Sequence, residues 1–257
     1  MNSPRLIPVV SLIGDKAVKT KAFKNPVYVG DPVNTVSLFS SFEVDELIVL
    51  DISRYFNSTP TSEETLERIV ASAYMPIAFG GGISDFNNAK AKFTIGFDKV
   101  LLRTNFLDSD LPREIAKKYG AQAVTGCLDI SYSTQNVNTI FVNDSSVDKA
   151  NVGNLIKRIA QSDVGELIVH DKDHEGSRSG FRSNWLYDEL LDNLTIPIVP
   201  LGGCSDLVNA ANFLANNGFH SVAASSMFLF RPTRDAVLIN YPEMEDWLNL
   251  VEGDNFE

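Results

Sequence analysis

The chain has 257 residues, of which 44% are hydrophobic and 21% charged, and it carries a formal net charge of −11. A surface this acidic repels polyphosphate, so nucleic acid and anionic membrane are excluded as partners, although one local cationic pocket for a small phosphate ligand is still allowed. No apolar stretch approaches the ~18 residues of a membrane span, and the N-terminus lacks a basic region followed by a long apolar core. The two cysteines, Cys127 and Cys204, sit among apolar or Gly-rich residues. They read as free thiols, which fits a reducing, cytoplasmic compartment.

In chain order, the expected strands are "LIPVVSL" from Leu6, "ELIVLDI" from Glu46, "MPIAFG" from Met75 and "DKVLLRT" from Asp98. They continue with "AVTGCLD" from Ala123, "ELIVHD" from Glu166, "IPIVPLGG" from Ile196 and "SVAASS" from Ser221. The first apolar run ends at Ser11, and a turn follows. Amphipathic stretches lie between, among them Ser62 to Tyr74, Leu111 to Gly120 and Leu207 to Gly218. "TSEE" at Thr61 supplies capping residues followed by acidic charge, a helix start, and Gly120 and Gly218 sit where helices should stop. Strands buried on both faces read as continuous apolar runs, as these do. Strands alternating with helices argue for a (β/α)8 barrel, which takes ~250 residues, and no linker splits residues 1–257 into two domains.

The chain also repeats itself. "ELIVLD" at Glu46 returns as "ELIVHD" at Glu166, "FGGGISD" as "LGGCSD", and "GFDKV" at Gly96 as "GFHSV" at Gly218. Aligning first glycines pairs Gly80 with Gly202. Three motifs in one order at nearly constant spacing imply two half-barrels, about 1–120 and 121–257. Ser11 then corresponds to Asp129, so equivalent strands end in a hydroxyl and a carboxylate.

The two half-barrels, "GDPV" at Gly30, "DELIVLDI", "FGGGI" and "GSRSGF" resemble the cyclase subunit of imidazole glycerol phosphate synthase, a lyase of histidine biosynthesis, over nearly the whole chain. Within that family, "KAVKTKAFKNPVYVGDPVN" and "AVLINYP" look more like a HisF-like branch associated with amidation of sugars for surface polysaccharides. The resemblance implies no cofactor, and a HisH-like glutaminase partner that releases ammonia from glutamine for use at the barrel's upper face.

Glycine lets backbone N–H groups approach an anion, and barrels often bind phosphate with the loops after strands seven and eight. That points to Gly202, Gly203, Ala224 and Ser225, and the repeat points to a second site at Gly81, Gly82, Arg103 and Thr104. Together they suit a ligand phosphorylated at both ends. The plain alternative is that these are tight turns only. The family usually has Asn where this chain has Arg103, whose fork could hold an anion more tightly or crowd the ligand out.

In the resembling cyclases two Asp residues at the ends of strands one and five act as acid and base. Asp129 falls on one position and Ser11 on the other. A serine hydroxyl does not ionise near pH 7 and needs an activating base. No adjacent carboxylate obviously replaces the missing one; Asp15 lies four residues further on, in the turn. The loop "HDKDHEGSRSG" offers His170 and His174, but Gly176, Ser177 and Gly180 argue against the helical spacing of a zinc pair. His170, Asp171, Glu175 and Gly176 therefore read as substrate-facing, with no metal. Arg5, Glu46, Lys99 and Glu166 open strands one, two, four and six. They could form a salt-bridged plug at the lower mouth, and in the family matching residues gate ammonia. Asp98 matches a position that faces the glutaminase.

The expected function is the synthase half of a glutamine amidotransferase pair, delivering ammonia to a phosphorylated or sugar acceptor. The resemblance to the sugar-amidating branch implies an acetamido sugar as final acceptor and a third, ATP-using protein; this chain has no Walker-type loop with which to activate the acceptor itself. The alternatives are the histidine-pathway cyclase itself, a non-catalytic channelling subunit and, more remotely, a metal-dependent hydrolase around His170.

Overall fold

A computed structural model describes residues 4–103, 105–231 and 236–253. Eight parallel strands form its centre: β1 (Arg5–Ile13), β2 (Leu47–Asp51), β3 (Ile77–Gly80), β4 (Lys99–Leu102), β5 (Val124–Tyr132), β6 (Glu166–Asp171), β7 (Ile198–Leu201) and β8 (Ser221–Ala224). Each pairs with the next, and β8 pairs with β1, so the sheet closes into a barrel. Helices α1 (Pro32–Ser41), α2 (Glu63–Ala71), α3 (Phe86–Ile95), α4 (Leu111–Tyr119), α5 (Val152–Ala160), α6 (Trp185–Asn193) and α7 (Leu207–Asn217) follow the first seven strands. A short α8 (Ser226–Leu229) follows β8, and α9 (Met244–Gly253) ends the described chain. This is the expected (β/α)8 architecture.

Side chains alternate across each strand. Ile7, Val9, Ile48, Ala78, Leu101, Ile168, Val199, Leu201 and Ala223 form one buried cluster inside the barrel. Leu6, Val10, Leu12, Leu47, Val49, Val100, Leu128 and Leu167 belong to the larger cluster between barrel and helices. Both faces are apolar, which is why the strands read as unbroken apolar runs. The odd-numbered positions of β1 and β5 face the lumen, Ser11 in phase with Ile7 and Val9, Asp129 in phase with Cys127.

The half-barrel repeat has a local physical basis. Asp85 and Asp206 cap α3 and α7, accepting hydrogen bonds from the N–H groups of Asn88 and Asn209, each at 2.9 Å. Before each cap the chain turns through glycine at positive φ, +115° at Gly81 and +103° at Gly202. A Cβ at Gly81 would lie 2.2 Å from the Asp51 carbonyl oxygen, and one at Gly202 would lie 2.5 Å from that of Asp171. Equivalent backbone contacts thus pair Gly81, not Gly80, with Gly202. The first-glycine alignment is off by one because Gly80 is still strand, opposite Leu50 and Leu101.

The strands β1 and β5 run beyond their expected ends. Past Ser11, β1 continues to Ile13 and turns back as a hairpin, Lys16–Lys21 and Lys24–Gly30. Past Asp129, β5 continues to Tyr132 and pairs with Thr139–Val142, which pairs with Ser145–Asp148. Both hairpins rise from the same rim of the barrel. At the other end the Trp247 indole N–H donates to Pro4 O and the Tyr241 hydroxyl to Leu6 O, each at 2.8 Å, which straps the C-terminal segment onto β1.

Candidate functional site

At the foot of the barrel the four predicted charges meet. Arg5 reaches Glu46 at 2.7 Å and Glu166 at 2.5 Å. Lys99 reaches Glu46 at 2.7 Å and Glu166 at 3.3 Å, which closes a ring of alternating charge. Arg5 Nε also donates to Ser221 Oγ at 3.1 Å. Burial, then the neighbouring Glu166, pushes the Glu46 carboxyl above its usual range despite Lys99 and Arg5. Burial works against the Arg5 cation, but Glu166 and Glu46 outweigh it and hold that guanidinium more firmly protonated. Nearby, exposed Asp98 accepts the Ile77 N–H at 2.9 Å, so it secures the start of β3 whatever else it does.

Above the ring the lumen is apolar, with two polar interruptions on β5. Thr125 Oγ1 is buried without a hydrogen-bond partner among the described residues. Burial pushes the Cys127 thiol well up, so it stays neutral. At the upper rim sits Asp129, its carboxylate divided between two neighbours. Oδ1 lies 3.0 Å from His170 Nδ1, and Oδ2 pairs with Arg103 Nε. The Asp129 N–H donates to Asn143 Oδ1 at 2.9 Å, bringing the second hairpin into the site. Burial alone would push the Asp129 carboxyl up; the hydrogen bond and field of His170, followed by Arg103, outweigh it and hold the group below the usual range. Ser11 lies on β1 opposite Leu50 and is buried. Asp15 is not in the site: it accepts from the Ser62 N–H and hydroxyl at the start of α2, each at 2.9 Å.

The first hairpin folds over this rim. Its tip, Ala22 and Phe23, adopts positive φ at both residues. The Phe23 ring stands edge-on to His170, centroids 5.5 Å apart, and stacks on Tyr55 at 4.8 Å. Glu175 latches the tip: its Oε2 accepts from Thr20 Oγ1 at 3.0 Å and the Phe23 N–H at 3.2 Å, and its carbonyl accepts the Ala22 N–H at 2.8 Å. Gly176 permits the approach, since a Cβ there would lie 2.1 Å from Thr20 O. Asp171 is buried beneath, with His174 at 3.1 Å and Arg182 at 3.4 Å. His170 and His174 therefore serve different carboxylates, and among the described residues no group of three or more His, Cys, Asp or Glu side chains is placed to hold a metal ion.

The two glycine loops differ. Gly202 and Gly203 lie against the loop after β6, where the Gly180 N–H donates to Gly203 O at 2.8 Å, and Ala224 and Ser225 follow at the end of β8. Gly81 and Gly82 border a cavity of about 150 Å³ also lined by Asp51, Arg54, Thr61 and Lys92. The cation beside Gly82 is Arg54, because Arg103 turns into the lumen toward Asp129 and Asp144. Thr104 lies outside the described residues. Sequence reasoning did not single out Phe23, Tyr55, Arg54, Asn143 or Thr125. The Gly14-Asp15 turn between Ile13 and "KAVKTK" was the available signal for the first hairpin; the others come together only by folding.

Residues 5–233 match the family described as histidine biosynthesis protein. The chain is 33% identical over 242 residues to a Pseudomonas aeruginosa protein provisionally described as imidazole glycerol phosphate synthase subunit hisF2, covering 93% of this chain and 96% of that one. It is 30% identical over 249 residues to a Leptospira borgpetersenii protein provisionally described as the HisF subunit, covering 96% and 98%. A Vibrio vulnificus protein provisionally described as subunit hisF3 is 29% identical, with 96% of each chain covered. Among the described residues no helix is long and apolar enough to cross a membrane.

Proposed function

Because this chain belongs to the histidine biosynthesis protein family, we propose that it is the ammonia-using synthase subunit of a two-protein glutamine amidotransferase, paired with a HisH-like glutaminase. The observation that carries this reading is the closed ring of Arg5, Glu46, Lys99 and Glu166 beneath an apolar lumen that opens at Asp129. A small neutral nucleophile crosses an apolar lumen cheaply, whereas ions do not. At the rim, backbone N–H groups near Gly202, Gly203, Ala224 and Ser225 would hold a phosphorylated or sugar acceptor. An acetamido sugar of surface polysaccharide is the acceptor we favour, activated by a third, ATP-using protein, with the whole pathway cytoplasmic.

The second reading, the histidine-pathway cyclase, draws on the printed names of the relatives. Two features weigh against it. Ser11 cannot supply a second ionisable group, and Arg103 occupies one oxygen of Asp129. One experiment separates the readings. The chain is mixed with its glutaminase, and glutamine hydrolysis, free ammonia and product are followed with the cyclase's phosphoribulosyl substrate, then with ammonium chloride replacing glutamine. Imidazole glycerol phosphate from either nitrogen source would establish the cyclase. Glutaminase stimulation without that product supports our reading. No stimulation of the glutaminase, with every ammonia released to solvent, would overturn it.

A further inference from the structure

The proposed reading leaves open which group moves protons at the rim. Ser11 has no ionisable group near neutrality, and Asp129 has both carboxylate oxygens engaged, by His170 Nδ1 and Arg103 Nε. His170 is different. It lies on β6 directly opposite Asp129, is 4% exposed, and its Nε2 is buried with no hydrogen-bond partner among the described residues. Buried polar atoms are rarely left unpaired unless a ligand or a reaction completes them. An ionised carboxylate only accepts, so Nδ1 must carry the hydrogen of that contact. In the neutral ring Nε2 is then a bare lone pair. The Phe23 ring, edge-on at 5.5 Å, covers the imidazole on its rim side.

We propose that His170 Nε2 is the proton acceptor for ammonia at the upper rim, with Asp129 the positioning residue that fixes its tautomer. This rests on the ammonia-using reading above. Ammonia's lone pair forms a C–N bond to a carbonyl carbon of the acceptor, and the C=O π pair moves onto oxygen. One N–H proton of the adduct passes to His170 Nε2, and Asp129 stabilises the imidazolium. That proton passes to the oxygen and gives the carbinolamine; a second N–H proton then follows through the same Nε2, and the oxygen departs as water, leaving a C=NH bond. Ser11, one strand round from Leu50, has no part in the transfer.

The chain has three histidines, His170, His174 and His220. In ¹⁵N-histidine-labelled protein each is assignable by single substitution, with His174 as an internal comparison because it pairs with Asp171. The His170 ring is expected as the Nδ1–H tautomer, with an Nε2 resonance that shifts saturably on adding ammonium chloride. Asp129→Asn is expected to mix the tautomers, and His170→Gln to abolish the shift. A hydrogen found on Nε2 in the wild-type chain, or an Nε2 resonance indifferent to ammonium while the glutaminase complex still channels ammonia, overturns the assignment. The wild-type spectrum decides this even if both variants fold poorly. Ammonia wholly lost to solvent in the complex, with the tautomer as expected, would sink the ammonia-using reading instead.

Discussion

Replacing Lys99 by Met removes one cation from the ring at the barrel's foot and keeps most of the side-chain volume. Lys99 Nζ contacts Glu46 at 2.7 and 2.9 Å and Glu166 at 3.3 Å. Without it, Glu46 Oε1 and Glu166 Oε2 lose their charged partner, while Arg5 must serve two carboxylates whose side chains are 5% and 8% exposed. Breaking a buried pair costs about 3–5 kcal/mol. Lys99 itself is 18% exposed at a wet mouth, so about 2–4 kcal/mol is expected. The pH dependence follows in sign. The Glu46 carboxyl already lies above 4.5, from burial first and Glu166 second, with Lys99 offsetting both. A carboxyl raised in the folded state binds more protons there, so its contribution to stability falls as pH rises from about 4.5 through the folded value. Losing Lys99 moves that value further up. The deficit of Lys99→Met, measured by urea denaturation, should therefore be smallest near pH 4.5 and grow as the pH is raised from there toward neutrality. A deficit below about 0.5 kcal/mol, or one that does not change over this range, would mean that the ring behaves as independent surface pairs.

Other substitutions test other parts of the fold. Gly202→Ala puts a Cβ at φ +103° and 2.5 Å from a carbonyl oxygen, and should cost more than about 2 kcal/mol by urea denaturation, against about 1 kcal/mol for Gly218→Ala, which has open space around it. Glu175→Ala removes two hydrogen bonds to the hairpin tip; about 1–2 kcal/mol of local stability should go, seen as faster hydrogen exchange at Phe23 with little change in the barrel strands. Trp247→Ala empties a site that is 1% exposed and removes the bond to Pro4 O, for an expected loss of about 3–5 kcal/mol in denaturation midpoint experiments.

The strand positions, the half-barrel repeat and the charges at the strand starts could all be read from the amino acids in order. Apolar runs such as "ELIVLD" and "ELIVHD" record burial on both faces, and burial is imposed one residue at a time. The glycines at 81 and 202 record a local backbone requirement in the same way. Other features depend on neighbours far along the chain. Arg103 would serve an anion beside Gly82 or a carboxylate on β5 equally well. Only the pairing of β4 with β5 turns it to Asp129. His170 and Asp129 are 41 positions apart, and the β5–β6 register alone makes them a hydrogen-bonded pair rather than two separate side chains. Phe23 covers that pair because the hairpin after β1 folds back over the rim, where Glu175 catches it. Composition and periodicity report how much surface each residue hides. They do not report which buried polar atoms meet, because that depends on strand register and loop closure across the whole barrel.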